Sequence, residues 1–157
     1  MFNVGDKIVY PLHGAGVIED IEEIEVDGSK QKYYVLFIPI GNLRIKISSK
    51  KTVAHGLREV HIKEDIEDII TSIKGILISI QEDWNKRYKE NNEKLKTGLL
   101  KEAVEVYRNL RHRESGRGLS AVEKKQMQTT KNIIVSEIML STGMDKEQGE
   151  TLLDKLL

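Results

Sequence analysis

The chain has 157 residues, which is enough for one domain or two small ones with a hydrophobic core. It contains no cysteine, and this excludes a disulfide framework, a thiol nucleophile and a thiolate metal site. No basic-then-apolar signal pattern opens the chain and no apolar stretch reaches the length of a membrane span. We therefore expect a soluble intracellular protein.

Charge is distributed unevenly along the chain although the formal net charge is zero. Residues 1–83 carry 10 basic and 14 acidic side chains, a net charge of −4. Residues 84–131 carry 13 and 6, a net of +7, and residues 132–157 carry 2 and 5, a net of −3. Because the local field steers a polyanion more than the net charge does, the basic segment predicts contact with a polyanion such as nucleic acid.

Residues 1–60 have the pattern of short β-strands separated by tight turns. Runs rich in β-branched and aromatic residues predict strands, with a hairpin turn at Asp27-Gly28. The predicted strands cover residues 6–10, 17–26, 33–38 and 43–47. In the last of them Arg44 and Lys46 alternate with apolar residues, which predicts a half-exposed strand with a basic outer face.

Two further features of this region concern its glycines and its end. The sequence Gly14-Ala15-Gly16 predicts a turn, or a bulge where two backbones approach closely. Several short strands within about sixty residues predict a small, strongly bent sheet or barrel. We place its boundary with the rest of the chain near Val60.

Downstream of Ile62 the apolar spacing is helical. The predicted helices contain residues 66–73, 84–96, 99–110, 120–138 and 145–156, and the apolar run 76–80 fits either a linker or part of a helix. Ser120 followed by Glu123 predicts a capping box, and Asp145 predicts the cap of the last helix. The exposed side of the 99–110 helix is expected to carry Arg108, with Arg111 and Arg113. The fold class expected is therefore α+β, with a small β domain at residues 1–60 and an all-α domain at residues 61–157.

The start of the basic segment combines aromatic and cationic side chains. Trp84 and Tyr88 are four residues apart, so on a helix they project from one face, flanked by Lys86, Arg87 and Lys89. An aromatic surface framed by cations is suited to nucleic acid. The alternative is that both aromatic rings face the core and the cations are merely solvated, since tryptophan is usually well buried. Acidic residues just before Trp84 suit a helix start, which would leave the indole protruding at a domain edge.

Motifs for catalysis, metal binding or cofactor binding are not found. The four histidines, at positions 13, 55, 61 and 112, have no metal-ligand spacing. Residues 14–16 lack the further glycine and helix of a dinucleotide site, and no phosphate-binding loop is present. We therefore expect no enzymatic activity, no cofactor and no metal.

Three stretches resemble the CarD-like family of bacterial transcription regulators, also called the CdnL family. They are GDKIVYP at residues 5–11 with HGAG at 13–16, WNKRYK at 84–89 with EKL at 93–95, and GLSA at 118–121 with EKK at 123–125. The similarity covers nearly the whole chain in the family's order and spacing. The first motif also resembles a module of the transcription–repair coupling helicase, but the chain length and the helical part favour the short regulator.

The resemblance implies a Tudor-like β domain that binds the β subunit of RNA polymerase and a helical domain that contacts promoter double-stranded DNA. It implies action at the upstream edge of the transcription bubble, without sequence preference, so that the open complex is stabilised. In some members ribosomal RNA promoters are activated. Such a protein would be cytoplasmic and nucleoid-associated through polymerase.

Position by position, the resemblance implies a DNA wedge, phosphate-contacting cations and a polymerase-contacting strand. Lys46 stands where other members can have arginine; lysine keeps the charge but loses the bidentate fork, so the polymerase contact is expected to be weaker or shared with Arg44. Ile24 stands where some members have a further basic contact. The DNA-binding residues implied are Trp84 as the wedge and Lys86, Arg87, Lys89 and Lys124 as the cations.

Two other functions remain open from the sequence. The β domain could bind a partner while the helices only support it, giving a protein-only interaction module without DNA contact. A steep loss of duplex affinity with salt would separate the two, because only the DNA binder requires it. An enzyme would need a pocket with convergent polar groups, and the sequence offers none.

Overall fold

The computed structural model describes all 157 residues and has a five-stranded sheet followed by five helices. All strand pairs are antiparallel, and the order across the sheet is β4-β3-β2-β1-β5. The strands are β1 (Lys7–Tyr10), β2 (Gly14–Val26), β3 (Ser29–Ile38), β4 (Leu43–Ser48) and β5 (Arg58–Glu59). The α+β class is confirmed, as is the Asp27-Gly28 hairpin, which joins β2 to β3.

The glycines at the start of β2 make close contacts and do not form a turn. Gly14 and Gly16 pair with β1, and the turn itself lies just before them. A Cβ atom on Gly16 would lie 2.3 Å from the carbonyl oxygen of Phe37. The predicted turn is therefore wrong, whereas the alternative, a close backbone approach, is what the structure shows.

The helical half begins at Lys63. Its helices are α1 (Lys63–Lys74), α2 (Trp84–Lys96), α3 (Leu100–Gly116), α4 (Ala121–Thr142) and α5 (Lys146–Leu156). Gly143 ends α4 in the left-handed conformation, and Asp145 forms a complete capping box with Gln148 at the start of α5. The apolar run 76–80 is an irregular linker with Leu77 exposed.

Two sequence expectations about helix surfaces are wrong. Ser120 caps α4 by accepting from the backbone N–H of Glu123, but the Glu123 carboxylate turns inward and does not complete a capping box. Arg108 is 8% exposed rather than solvated, because its Nη1 donates to the carbonyl oxygens of Ile73 and Ile76. In both cases the side chain binds a partner that is distant in the chain: Glu123 accepts from Arg87, and Arg108 donates to Ile73 and Ile76.

The apolar core consists of two clusters, one per half of the chain. Side chains of the sheet, including Ile8, Ile18 and Leu36, form the smaller cluster. Side chains of α1, α3 and α4, with Leu95 of α2 and Leu153 of α5, form the larger one, and Ile40 packs against both. Val60, near which the sequence predicts a domain boundary, lies between β5 and α1.

A buried carboxylate joins the two halves. Glu137 on α4, 2% exposed, accepts bidentate hydrogen bonds from Arg58 on β5 at 2.7 and 2.9 Å. The backbone N–H of His61 and its Nδ1 lie 2.9 and 3.0 Å from the same carboxylate. Next to it, the hydroxyl of Ser136 accepts from the backbone N–H of Ala15 at 2.8 Å. The sheet is thus held against α4 by directional bonds, which sets the orientation of one half relative to the other.

Candidate nucleic-acid interface

Trp84 is the first residue of α2 and is 49% exposed. Asp83 caps the helix, because its side chain accepts from the backbone N–H groups of Asn85 and Lys86. The expectation of a protruding indole is confirmed, and the alternative of a core tryptophan is wrong. An indole this exposed is a surface feature that can insert into a partner.

Two of the expected cations are exposed on the same helix as Trp84. Lys86 and Lys89 are three residues apart, and neighbours at this spacing share a helix face. Neither lysine forms an ion pair with a carboxylate of the chain. Their charges are therefore free to meet phosphates, while Tyr88 between them is half-buried.

Arg87 does not belong to this exposed set. It is 4% exposed, and its Nε and Nη2 donate to the two carboxylate oxygens of Glu123 at 2.6 and 2.7 Å. Its Nη1 donates to the carbonyl oxygens of Gln81 and Glu82 at 2.8 and 3.2 Å. The expected surface position is wrong, because a buried partner consumes the guanidinium donors that a phosphate would need.

The Arg87–Glu123 pair is also electrostatically matched. The hydrogen bond that Arg87 donates to Glu123 raises the pKa of Arg87; burial acts against this shift, and the charges of Glu123, Glu82 and Asp83 add to it. Arg87 therefore stays charged in the interior. No local sequence signal could have paired two residues that are 36 positions apart.

This ion pair brings the start of α4 beside the start of α2. Gln126 of α4 adds hydrogen bonds from its Nε2 to the carbonyl oxygen of Tyr88 at 3.2 Å and to Asn92 Oδ1 at 3.0 Å. Lys124, next to Glu123, is exposed and lies 3.9 Å from a carboxylate oxygen of Glu114. The starts of α2 and α4 are therefore adjacent in space although they are distant in the chain. Trp84 is the first residue of α2.

The cations expected at the polymerase are exposed on β4 but paired with acids. Arg44 Nε lies 2.9 Å from a carboxylate oxygen of Glu19, and its guanidinium lies 4.5 Å above the ring of Phe37. Lys46 Nζ lies 2.9 Å from a carboxylate oxygen of Glu22. Ile24 lies near the far end of the β2–β3 hairpin. Because β4 is the outermost strand, one of its backbone edges is free to pair with another chain.

No group of three or more histidine, aspartate or glutamate side chains is placed to hold a metal ion. None of the five helices combines the length and the apolar character that crossing a bilayer demands.

Comparison with known proteins gives concordant matches over nearly the whole chain. Residues 2–60 match the family model described as CarD-like/TRCF RID domain, and residues 68–154 match the model of the CarD C-terminal domain. A Bacillus subtilis (strain 168) protein named "Putative transcription factor YdeB" is 37% identical over 155 residues. The alignment covers 94% of this chain and 97% of that protein.

Proposed function

The chain belongs to the CarD-like family of transcription factors, and from this premise we propose that it couples RNA polymerase to promoter DNA and stabilises the open complex. Members of the family are regulators without enzymatic activity, and the sheet carries the domain through which the family interacts with polymerase. In the proposed arrangement the sheet contacts the polymerase β subunit. The helical half contacts duplex DNA at the upstream edge of the bubble without reading its sequence.

The observation that carries this proposal is the exposed indole of Trp84 at the start of a helix whose Lys86 and Lys89 are exposed and form no ion pair. Proteins that bend or open DNA insert apolar side chains between base steps from the minor groove. Lys86 and Lys89 supply the phosphate contacts that position such a wedge, and such contacts carry no sequence information. The surface therefore suits a distorted duplex better than a regular one.

To stabilise the open complex, the protein must bind the open promoter more tightly than the closed promoter. A ligand that binds the closed and open promoter equally shifts neither population. An indole that enters only an unstacked base step contributes binding energy in the open state alone, so it lowers the rate of bubble closure. We therefore expect Trp84 to affect the lifetime of the open complex and not the recruitment of the protein to polymerase.

The polymerase contact is proposed at the outer edge of the sheet. An exposed edge strand such as β4 can pair with a strand of another protein through its backbone, while alternate side chains supply specificity. Arg44 and Lys46 project from this strand, and both are ion-paired with acids of β2. These acids reduce the net charge available to the partner, so backbone pairing is expected to carry most of the affinity.

The test is the half-life of the open complex formed with Trp84→Ala on one promoter, compared with wild type. The variant is expected to retain polymerase binding and to shorten the half-life. Its free energy of unfolding should stay within about 1 kcal/mol of wild type, since the residue is half-exposed. Leu77→Ala is the matched control, because it also removes an exposed apolar side chain, from the linker before α2.

Two results would contradict the proposal. An unchanged half-life with Trp84→Ala would show that Trp84 does not act as a wedge. Duplex binding that does not weaken as salt rises would remove the phosphate contacts, because released counterions make such binding steeply salt-dependent. That second result would favour a protein-only interaction module, in which the helices support the polymerase-binding sheet without touching DNA.

A further inference from the structure

A cationic cavity lies in the helical half, formed by the end of α1, one face of α3 and the last residue of the chain. Its volume is about 320 Å³. Polar lining comes from Lys74, Arg108, Arg111, His112 and Ser115. Two aliphatic side chains, Ile78 and Leu157, complete its wall.

The lining side chains of α3 share one helix face. Arg108, Arg111, His112 and Ser115 are spaced by three, four and seven residues from the first, which is the spacing of neighbours along a single stripe. Glu114 of the same helix instead approaches Lys124 on α4. The cavity is thus separate from the Trp84 surface, which is built from the starts of α2 and α4.

The positive charges of the cavity are little neutralised. Lys74 forms no ion pair, and Arg111 has only an exposed contact of 3.3 Å between its Nη1 and Asp154 Oδ1. A cavity that concentrates charge of one sign raises the local concentration of counter-ions. Its polar side chains all carry N–H or O–H donors suited to an oxyanion.

Arg108 gives the cavity a fixed charge at its base. Its Nη1 donates to the carbonyl oxygens of Ile73 and Ile76, and its Nε and Nη2 donate to Asn109 Oδ1 at 3.2 and 3.0 Å. These bonds use four of the five N–H donors of a guanidinium, which leaves one on Nη2 for a ligand. Because the side chain is more than nine-tenths buried, its charge is already in place before any ligand binds.

We propose that this cavity binds a small phosphate-bearing anion. Several cationic donors converging from two helices match the several charged oxygens of a phosphate or pyrophosphate group, whereas a single carboxylate would use only one or two of them. The volume lies at the lower end of the range of small-molecule sites, about 300–1,000 Å³. Ile78 and Leu157 provide apolar contact for whatever group the phosphate carries.

The test is isothermal titration of the full chain with inorganic pyrophosphate at low ionic strength. Wild type is expected to bind at one site, and Lys74→Gln combined with His112→Gln is expected to weaken binding at least tenfold, because the ammonium charge of Lys74 and the N–H donor of an imidazole are lost. Lys101→Gln is the matched control, an exposed and unpaired lysine elsewhere on α3, and should bind as wild type does. Thermal unfolding of all three proteins checks that the lining variants fold.

A second titration, with duplex DNA, identifies the source of the phosphate. If the site takes a free anion, the double variant binds duplex as wild type does and duplex does not displace pyrophosphate. Displacement by duplex, with a matching loss of duplex affinity in the double variant, would assign the cavity to the DNA backbone and overturn the proposal. The proposal also fails if wild type does not bind pyrophosphate, or if the control variant loses as much affinity as the double variant. None of these outcomes bears on Trp84 or on polymerase binding.

Discussion

Arg87 of α2 and Glu123 of α4 form a bidentate ion pair in which the side chains are 4% and 1% exposed and the two N···O distances are 2.6 and 2.7 Å. Trp84 lies three residues before Arg87 in the chain, and Lys124 directly follows Glu123. The pair therefore holds together the starts of α2 and α4, which carry the residues of the proposed DNA surface. This role differs from the phosphate contact that the family resemblance implied for Arg87.

Arg87→Ala is expected to lower the free energy of unfolding by about 3–5 kcal/mol, because it leaves the buried carboxylate of Glu123 without its partner. Urea denaturation measures this loss. Replacing both residues with leucine should recover much of it, since an apolar pair of similar volume removes the uncompensated charge. A variant that stays as stable as wild type while losing duplex affinity would instead restore Arg87 to the phosphate-contacting set.

Lys89→Ala is expected to weaken binding to unrelated duplexes about equally and to reduce the salt slope of binding by about one unit, as for a single phosphate contact. Fluorescence anisotropy at several salt concentrations measures both quantities. Lys155→Ala, an exposed lysine on α5, serves as the control and should leave the slope unchanged. An effect confined to one duplex sequence would contradict a backbone contact.

Glu137→Gln is expected to make stability less dependent on acid pH. Burial by itself raises the pKa of Glu137, but the hydrogen bond and charge of Arg58, with the backbone and side-chain hydrogen bonds of His61, hold that pKa below its ordinary value of 4.5. A carboxyl whose folded pKa is depressed stabilises the fold above pH 4.5, and this contribution is lost as pH falls through the folded pKa. Because glutamine cannot titrate, the free energy of unfolding of the variant lacks this part of the decrease at acid pH.

The measurement is the free energy of unfolding between pH 7 and pH 3. At pH 7 the variant should be less stable by about 3 kcal/mol, since Arg58 loses its charged partner in the interface between the two halves. The two curves should converge as pH falls from 4.5 through the folded pKa of Glu137. Glu59→Gln removes an exposed carboxylate without an ion pair, and its curve should run parallel to that of wild type. Parallel curves for Glu137→Gln as well would contradict the assigned pKa direction.

Arg44→Glu combined with Lys46→Glu is expected to reduce co-purification with RNA polymerase. The free energy of unfolding should change by no more than about 1–2 kcal/mol, since exposed ion pairs contribute about 0–1 kcal/mol each. Exchanging Arg44 with Glu19 keeps one internal pair but moves the positive charge to β2. If polymerase binding depends on positive charge on β4, the exchange should also weaken binding. Full binding by both variants would mean that polymerase contacts only the backbone edge of β4.

The sequence alone was sufficient for the features that depend on neighbours along the chain. Alternation and helical spacing predicted the strands and helices, and local chemistry predicted the Asp27-Gly28 turn and the Asp145 cap. The exposure of Trp84 was also predictable, because acidic residues before it indicated a helix start. The domain boundary and the contacts with DNA and with polymerase are still predictions.

Only the tertiary structure decided the fate of residues whose partners are distant in the chain. Arg87, Arg108 and Glu123 all have the sequence context of surface residues, yet each is buried by a partner more than thirty positions away. The same holds for Glu137, whose carboxylate meets Arg58 across 79 positions. A buried charge is stable only where an opposite charge and hydrogen bonds compensate its lost hydration, and folding alone brings such a partner within reach.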